Sequence, residues 1–361
     1  MKIGYECFSD GIFKSIIQSL HNLDTCEISN MPYTYVYDSV INNELIPYFD
    51  QILDVFTPAK YISDVRLVDV GFIEDIISRW NLFTVPKKDI KKILIAVCQN
   101  SSYHTSELFN EKVTIKELYN HKFMDEQCIL KNYNWDDFCY DIKYNNRFHA
   151  PEVNLNQLRN LLKVNQLKIS AKSLILYRSR VCDSEHYLHG YNKKEDIGAP
   201  PPNKASAGRT NSEGIPCLYL SADELTTYHE VRARMFDHIT VGKFTNVEDL
   251  TIVDLTNLDN ITPFADEELD VSWYAVNIEI IKKIAYEISK PMRSFDNVLD
   301  YIPTQYVADY IKSLGYDGIK FKSTINKGGI NYAFFDSARL KCIGIDTREI
   351  AGLEYNAKIL S

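Results

Sequence analysis

One short segment, from Gly208 to Glu230, combines residue types that could act on a nucleotide. Arg209 follows a glycine, Tyr219 lies in a short apolar run, and Glu230 lies in a predicted helix. The planar guanidinium of an arginine can donate two parallel hydrogen bonds to a phosphate. A carboxylate can stabilise the sugar cation that forms during glycosidic cleavage. The segment therefore suggests a nucleotide substrate in which a glycosidic bond to the ribose is broken.

The elements that must position these residues differ between the two halves of the chain. From Gly11 to about Lys163 the apolar spacing is mostly helical, and we interpret this half as a helical domain. Within it, Lys87–Gln99 could be a helix or a buried strand, and we favour a helix. The domain is predicted to end with a helix at Asn156–Val164, which a polar linker at Asn165–Ser170 follows.

The second half is predicted to contain short strands, which are rich in branched or aromatic residues and bounded by turn residues. The predicted strands are Ser173–Val181, Cys217–Ser221, His238–Phe244, Thr251–Leu255, Gly318–Ser323, Asn331–Phe335 and Lys341–Asp346. The predicted helices are Asp223–Phe236, Asp266–Ser289 and Thr304–Leu314. Few strands alternate regularly with helices, so the pattern predicts an α+β fold rather than a doubly wound sheet. The sequence has neither GxGxxG after a strand nor GxxxxGK[ST], so a different architecture must hold any dinucleotide.

Composition excludes several classes of protein. A formal net charge of -9 argues against a protein that wraps nucleic acid, because that task needs a basic surface. The 8 cysteines include no CxxC pair, which argues against a disulfide scaffold and a four-cysteine zinc knuckle. We find no secretion signal and no apolar run long enough to span a membrane, and we expect a cytoplasmic protein.

Three blocks in the second half resemble the RES domain, a family whose members break down NAD+. They are Leu176–Val181, Ile197–Pro202 leading into Gly208–Glu230, and Gly315–Ser323 followed by Gly328–Asn331. The blocks occur in the order found in the family. The resemblance implies a mixed fold similar to ADP-ribosyltransferases, which grip NAD+ in a cleft between two small sheets. We therefore expect a RES domain at 170–350, after a helical domain at 1–165 and before a tail at 351–361.

The resemblance implies three catalytic residues, Arg178, Glu230 and Ser323. Arg178 is expected to pair with the pyrophosphate or to orient the catalytic carboxylate. Glu230 is expected to stabilise the positive charge that builds on the ribose as the nicotinamide bond stretches. The Ser323 hydroxyl is expected to orient either NAD+ or Glu230. No histidine–aspartate partnership is visible near this serine, so a serine-nucleophile hydrolase has little support.

Four further residues are predicted to bind NAD+: Arg180, Arg209, Asn211 and Tyr219. Arg180 follows Arg178 by two residues, so both face the same way in a strand. Arg209 and Asn211 belong to a long loop, and long ordered loops are often functional. The Tyr219 ring could stack on nicotinamide, or its hydroxyl could bind a ribose oxygen.

The first half resembles the helical N-terminal region of some RES proteins, which is related to the HEPN class and begins with paired zinc-binding cysteines. Here Gly4 and Ser29 stand where the partners of Cys7 and Cys26 are expected. Two thiolates are too few for a closed structural zinc site, so we predict no metal. The half also has no R-x4-6-H motif of HEPN ribonucleases, and we expect it to regulate the second half instead.

The sequence thus predicts an enzyme that cleaves the nicotinamide–ribose bond of NAD+, acting as a growth-arresting toxin or phage-defence effector. NAD+ is then a substrate rather than a cofactor, with water or inorganic phosphate as acceptor. One alternative is transfer of ADP-ribose to a macromolecule, and another is an inactive module that binds NAD+ or a partner. The partners that we consider are a regulatory protein or antitoxin, and further copies of this chain in a homo-oligomer. We expect neither nucleic acid nor a membrane as a partner.

Overall fold

The structure, a computed structural model, describes residues 1–63, 66, 69–264, 269–290 and 297–354. Most of the predicted C-terminal tail, 355–361, lies outside the described residues, as does the predicted helix start at Asp266. The described chain contains both helices and sheets, as an α+β protein does. Within the described ranges, no helix has both the length and the apolar character needed to cross a bilayer.

The helices and strands are numbered along the chain. The helices are α1 Gly11–Ser19, α2 Ile46–Asp54, α3 Ile73–Ile77, α4 Lys87–Val97, α5 His121–Gln127, α6 Trp135–Tyr144, α7 Leu155–Val164, α8 Glu224–Glu230, α9 Val271–Ser289 and α10 Ile302–Ser313. The strands are β1 Lys2–Gly4, β2 Leu23–Asp24, β3 Thr34–Asp38, β4 Phe56–Pro58, β5 Val113–Ile115, β6 Gln166–Ile169, β7 Leu176–Val181, β8 Leu218–Ser221, β9 His238–Asn246, β10 Leu250–Asp254, β11 Gly318–Lys322, β12 Ile330–Phe334 and β13 Leu340–Glu349.

The chain divides into two compact units. Unit 1 comprises Met1–Tyr133, Glu152–Asn160 and Asn260–Ile280, and unit 2 comprises Asn134–Pro151, Leu161–Asp259 and Ile281–Ser361. Our predicted boundaries, 1–165 and 170–350, stay predictions.

Unit 1 combines helices with two small sheets. Its sheets have the strand orders β1-β3-β2 and β4-β5, and the helical spacing of the sequence did not predict any of these five strands. The prediction of a helix at Lys87–Gln99 is confirmed by α4, which buries Ile90, Ile93 and Leu94 on one face. A helix thus fits this segment because its apolar residues recur every three to four positions.

Unit 2 is built on an eight-stranded sheet with the order β13-β9-β7-β8-β12-β11-β10-β6. Strands β10 and β11 are parallel, and the other neighbouring strands are antiparallel. A core of large apolar side chains packs on the sheet, and it includes Leu176, Ile197, Leu218, Leu220, Phe244, Ile252 and Phe334. All seven predicted strands of this half are present, with ends that differ by a few residues.

Two local predictions in unit 2 are wrong. The predicted linker Asn165–Ser170 contains β6, which pairs with β10 at the edge of the sheet. Its polar residues alternate with Leu167 and the buried Ile169. An antiparallel strand at the edge of a sheet can expose one polar face to solvent. The helix predicted to reach Phe236 ends at Glu230.

Helix α8 packs through buried polar side chains as well as through the apolar Tyr228 and Val231. Leu225 is 56% exposed, whereas Thr226 and Thr227 are buried. The Thr227 and Ser179 hydroxyls lie 2.5 Å apart, so a hydrogen bond joins α8 to β7. Polar side chains can therefore hold a helix against a sheet when both hydrogen-bonding groups are satisfied.

Candidate active site

A cavity of about 670 Å³ lies in unit 2, within the size range of pockets for small molecules. Within the described part of the chain, strands β7 and β8 pair only at Tyr177↔Ser221. Arg178 and Ser179 on β7, and Tyr219 and Leu220 on β8, line the cavity beyond this pair. The cavity thus opens where two neighbouring strands of the sheet part.

Glu230, the last residue of α8, lines this cavity. Its Oε1 accepts one hydrogen bond from Ser323 Oγ at 2.8 Å and another from Asn331 Nδ2 at 2.6 Å. Among the described residues, none donates to the other carboxylate oxygen, Oε2. One oxygen is therefore fixed by the protein while the other is available to a ligand.

Ser323 follows β11 and is 7% exposed. Its hydroxyl oxygen accepts a hydrogen bond from the Asn326 N–H at 3.2 Å while donating to Glu230. Because the amide occupies the oxygen, the hydroxyl proton is directed to the carboxylate. Ser323 was predicted to orient either NAD+ or Glu230, and this hydrogen-bond geometry favours the second role.

Asn331 was not among the predicted site residues, although it ends one of the sequence blocks. It lies on β12 directly opposite Ser221 of β8, and Ser221 Oγ donates to Asn331 Oδ1 at 2.6 Å. This contact fixes the amide so that its nitrogen points to Glu230. A signal was present in the sequence, because a polar asparagine inside the apolar run Ile330–Phe334 needs a partner when buried.

Arg178 lies at the cavity with a largely buried guanidinium. Its buried Nη1 has no hydrogen-bond partner within the part of the chain that the structure describes. Burial lowers the pKa of this guanidinium, and the neighbouring charge of Arg180 lowers it further. A buried cation is costly unless it is paired, so this position favours an anionic ligand.

Arg180, in contrast, is not brought to the cavity, and its predicted role in binding is not supported by its position. Its Nη1 donates to the Asp196 carbonyl at 2.8 Å, and its guanidinium lies 4.1 Å from the centre of the Tyr191 ring. Sequence alternation placed it on the same face as Arg178. Its side chain is instead held by the loop that follows β7.

Tyr219 and Asn211 both line the cavity, and they also hold the loop that carries Arg209. The Tyr219 hydroxyl donates to Asn211 Oδ1 at 2.6 Å and accepts from Thr210 Oγ1 at 2.7 Å. Burial raises the pKa of Tyr219, so its hydroxyl stays protonated. Asn211 Nδ2 donates to three loop carbonyls. These two side chains therefore shape the wall of the cavity.

Arg209 lies on the same wall and is 9% exposed. Its Nη1 donates to the Glu287 carbonyl at 3.3 Å, and its guanidinium lies 5.0 Å from the centre of the Tyr301 ring. A cation over an aromatic ring is stabilised by the ring quadrupole. The charge of Arg209 is thus held in place beside the cavity.

Helix α8 is fixed at its start as well as at Glu230. Arg348 of β13 contacts both carboxylate oxygens of Glu224, at 2.6 and 3.2 Å. The Asp223 side chain accepts from the Thr226 N–H and caps the helix. The catalytic candidate at the end of α8 is therefore positioned by contacts along the whole helix.

The charges at the cavity are unusual for this acidic protein. Among the described residues, four cationic side chains line it, Arg178, Arg209, Arg232 and Lys290, beside one carboxylate, that of Glu230. The chain as a whole carries a formal net charge of -9. Clefts lined by one sign of charge attract ligands of the other sign, so the lining favours an anionic molecule.

Unit 1 contains a separate cluster of possible metal ligands, Glu6, Cys7 and Cys26, whose ligand atoms lie within 4.8 Å of one another. A Cβ at Gly4 would lie within 2.2 Å of the Glu6 carboxylate, and Ser29 donates its hydroxyl proton to that carboxylate. The Glu6 carboxylate thus occupies the space that a metal-binding side chain at position 4 would need. Three groups do not complete a tetrahedral structural zinc site, and the prediction of no metal stays a prediction.

Comparison with known proteins identifies the domain around the cavity. Residues 175–351 match the family model of the RES domain. A chain of the M. tuberculosis MbcT–MbcA toxin–antitoxin complex is similar in structure, with 15% identity and a TM-score of 0.32. The match covers 54% of this chain and 92% of that chain. No curated protein matches the sequence. The chain thus contains a RES domain at residues 175–351.

Proposed function

We propose that the RES domain is an enzyme that degrades NAD+ by cleaving the bond between nicotinamide and ribose. The observation that carries this proposal is the position of Glu230, whose carboxylate is held by two donors at the edge of a cationic cavity. A dinucleotide brings two negative phosphates and a positive nicotinamide ring. The cavity offers arginines for the phosphates and a carboxylate for the sugar.

The carboxylate acts through differential stabilisation. As the glycosidic bond lengthens, the electron pair leaves with nicotinamide and positive charge develops on the ribose. Glu230 Oε2 then lies beside the ribose and stabilises this charge more than it stabilises the bound substrate. Ser323 and Asn331 keep the carboxylate oriented, so little reorganisation is needed during the reaction.

The arginines bind and orient the substrate. Arg178 and Arg209 are the positions proposed for the pyrophosphate, because both are charged, largely buried and at the cavity. Water or inorganic phosphate then attacks the ribose and gives ADP-ribose or its 1-phosphate. A protein that consumes NAD+ in this way would stop growth. We therefore propose that the protein is a toxin or defence effector, and that a partner protein restrains it.

Product analysis of the purified full-length chain with NAD+ tests this proposal. Released nicotinamide and the ribosyl product are separated by chromatography, with and without inorganic phosphate. Glu230→Gln keeps the shape of the side chain and removes its charge, and we expect kcat to fall about 100-fold or more. The matched control is Glu213→Gln, because Glu213 is exposed and does not line the cavity.

Three results separate the alternatives. Release that is equal in the wild type and Glu230→Gln would refute the role of the carboxylate. Labelled NAD+ that becomes attached to a macromolecule would indicate ADP-ribosyl transfer. Binding of NAD+ without release of nicotinamide would indicate a module without catalytic activity.

A further inference from the structure

The backbone of Arg232 adopts a conformation that favours glycine. Its φ is 51°, in the left-handed region. The Arg232 N–H donates to the His229 carbonyl at 3.0 Å, and the Ala233 N–H donates to the Tyr228 carbonyl at 3.0 Å. These two bonds form a Schellman motif that ends α8, and Arg232 occupies the position where glycine is usual because a Cβ is unfavourable there.

The side chain of Arg232 supplies no structural reason for this choice of residue. It is exposed, and within the described residues it makes no hydrogen bond, ion pair or ring contact. It lines the cavity two residues after Glu230. Of the other non-glycine residues with positive φ that the structure describes, none lines the cavity.

The position of Arg232 differs from that of the other cavity arginines. Arg178 has a largely buried guanidinium, and Arg209 is held by a carbonyl and an aromatic ring. Arg232 is exposed and free to reach an incoming anion. An arginine with an unused fork of donors at a cavity suits a phosphate.

We propose that Arg232 binds a phosphate at the mouth of the cavity. The inference rests on the proposed function and adds a residue that sets substrate affinity rather than the rate of bond cleavage. The phosphate has two sources in that reaction, the pyrophosphate of NAD+ and the inorganic phosphate that acts as acceptor. The same chemistry serves both, and the kinetics distinguish them.

The decisive variant is Arg232→Gly, since it removes the cation and relieves the left-handed backbone at once. We expect a melting temperature no lower than that of the wild type. We also expect KM for NAD+ to rise about 3- to 10-fold with kcat within about twofold, because a contact kept from ground state to transition state changes KM alone. Arg234→Ala is the matched control, as Arg234 is an exposed arginine two residues away that does not line the cavity.

Two substrates identify the source of the phosphate. Nicotinamide riboside has no phosphate, so its KM should be the same for the wild type and Arg232→Gly if Arg232 binds the pyrophosphate. A rise in KM for inorganic phosphate, with KM for NAD+ unchanged, would assign Arg232 to the acceptor instead. In both cases the salt dependence of the affected KM should be weaker in the variant.

The outcomes that overturn the inference are distinct from failure of the proposed function. Unchanged KM values in Arg232→Gly, with an active wild type, would show that Arg232 binds neither phosphate. A lower melting temperature together with lower activity would show a structural role. If the wild type cleaves no NAD+, the proposed function fails, and calorimetric titration with inorganic pyrophosphate then tests Arg232 alone. Equal affinity of the wild type and variant would reject it.

Discussion

Replacing Asn331 by alanine removes one of the two donors that hold the Glu230 carboxylate. The lost contact is a hydrogen bond of 2.6 Å from a buried amide to a charged acceptor. Such bonds contribute about 1.5–3 kcal/mol, and we take the lower end because Glu230 is exposed to water. About 1.5 kcal/mol corresponds to roughly a 10-fold fall in kcat.

Ser221 should act only through Asn331. Its hydroxyl donates to the Asn331 side-chain oxygen and fixes the orientation of the amide. Ser221→Ala removes a hydrogen bond of about 1 kcal/mol, so we expect kcat to fall roughly fivefold. The double variant should be no slower than Asn331→Ala, because the Ser221 hydroxyl has no amide left to orient.

The assay is nicotinamide release at saturating NAD+ for the wild type, both single variants and the double variant. KM should stay within about threefold in all of them, because the phosphate-binding arginines are unchanged. Asn192→Ala is the control, since Asn192 is exposed and does not line the cavity. Fully additive effects of the two substitutions, or a change confined to KM, would refute a positioning relay from Ser221 to Glu230.

Two further predictions concern stability. Gly208→Ala places a Cβ 2.6 Å from the Tyr219 hydroxyl oxygen, so it should lower the melting temperature and raise KM for NAD+, whereas Gly344→Ala has open space and should change neither. Burial acts to raise the pKa of Asp254, but hydrogen bonds led by that from Lys320 outweigh it and hold the pKa below its usual value. A depressed carboxyl pKa stabilises the fold above the unfolded pKa near 4, and this stabilisation is lost as pH falls further. Denaturant titrations should therefore show Lys320→Met less stable than the wild type at pH 7, with the difference narrowing below about pH 4; a difference independent of pH would contradict this.

The sequence alone was sufficient to predict the strands around the candidate site, and five of the seven predicted site residues line the cavity: Arg178, Arg209, Asn211, Tyr219 and Glu230. Strands β7, β8, β11 and β12 are short runs of branched and aromatic residues between turn residues, and such local signals do not depend on distant contacts. The family blocks gave Arg178, Glu230 and Ser323, and the structure brings Glu230 and Ser323 into contact. Residue types and their order were enough for this part.

Local spacing could not determine which side chains meet across the sheet. Asn331 contacts Glu230 because β12 pairs with β8 and α8 lies beside them, although 101 positions separate the two residues. Arg180 has the same strand alternation as Arg178, yet a loop carbonyl and the Tyr191 ring hold it away from the cavity. The parting of β7 and β8, which opens the cavity, likewise depends on strand pairing between distant segments. Contacts of this kind follow from tertiary packing, because pairing partners are chosen by the whole sheet and not by neighbours in the chain.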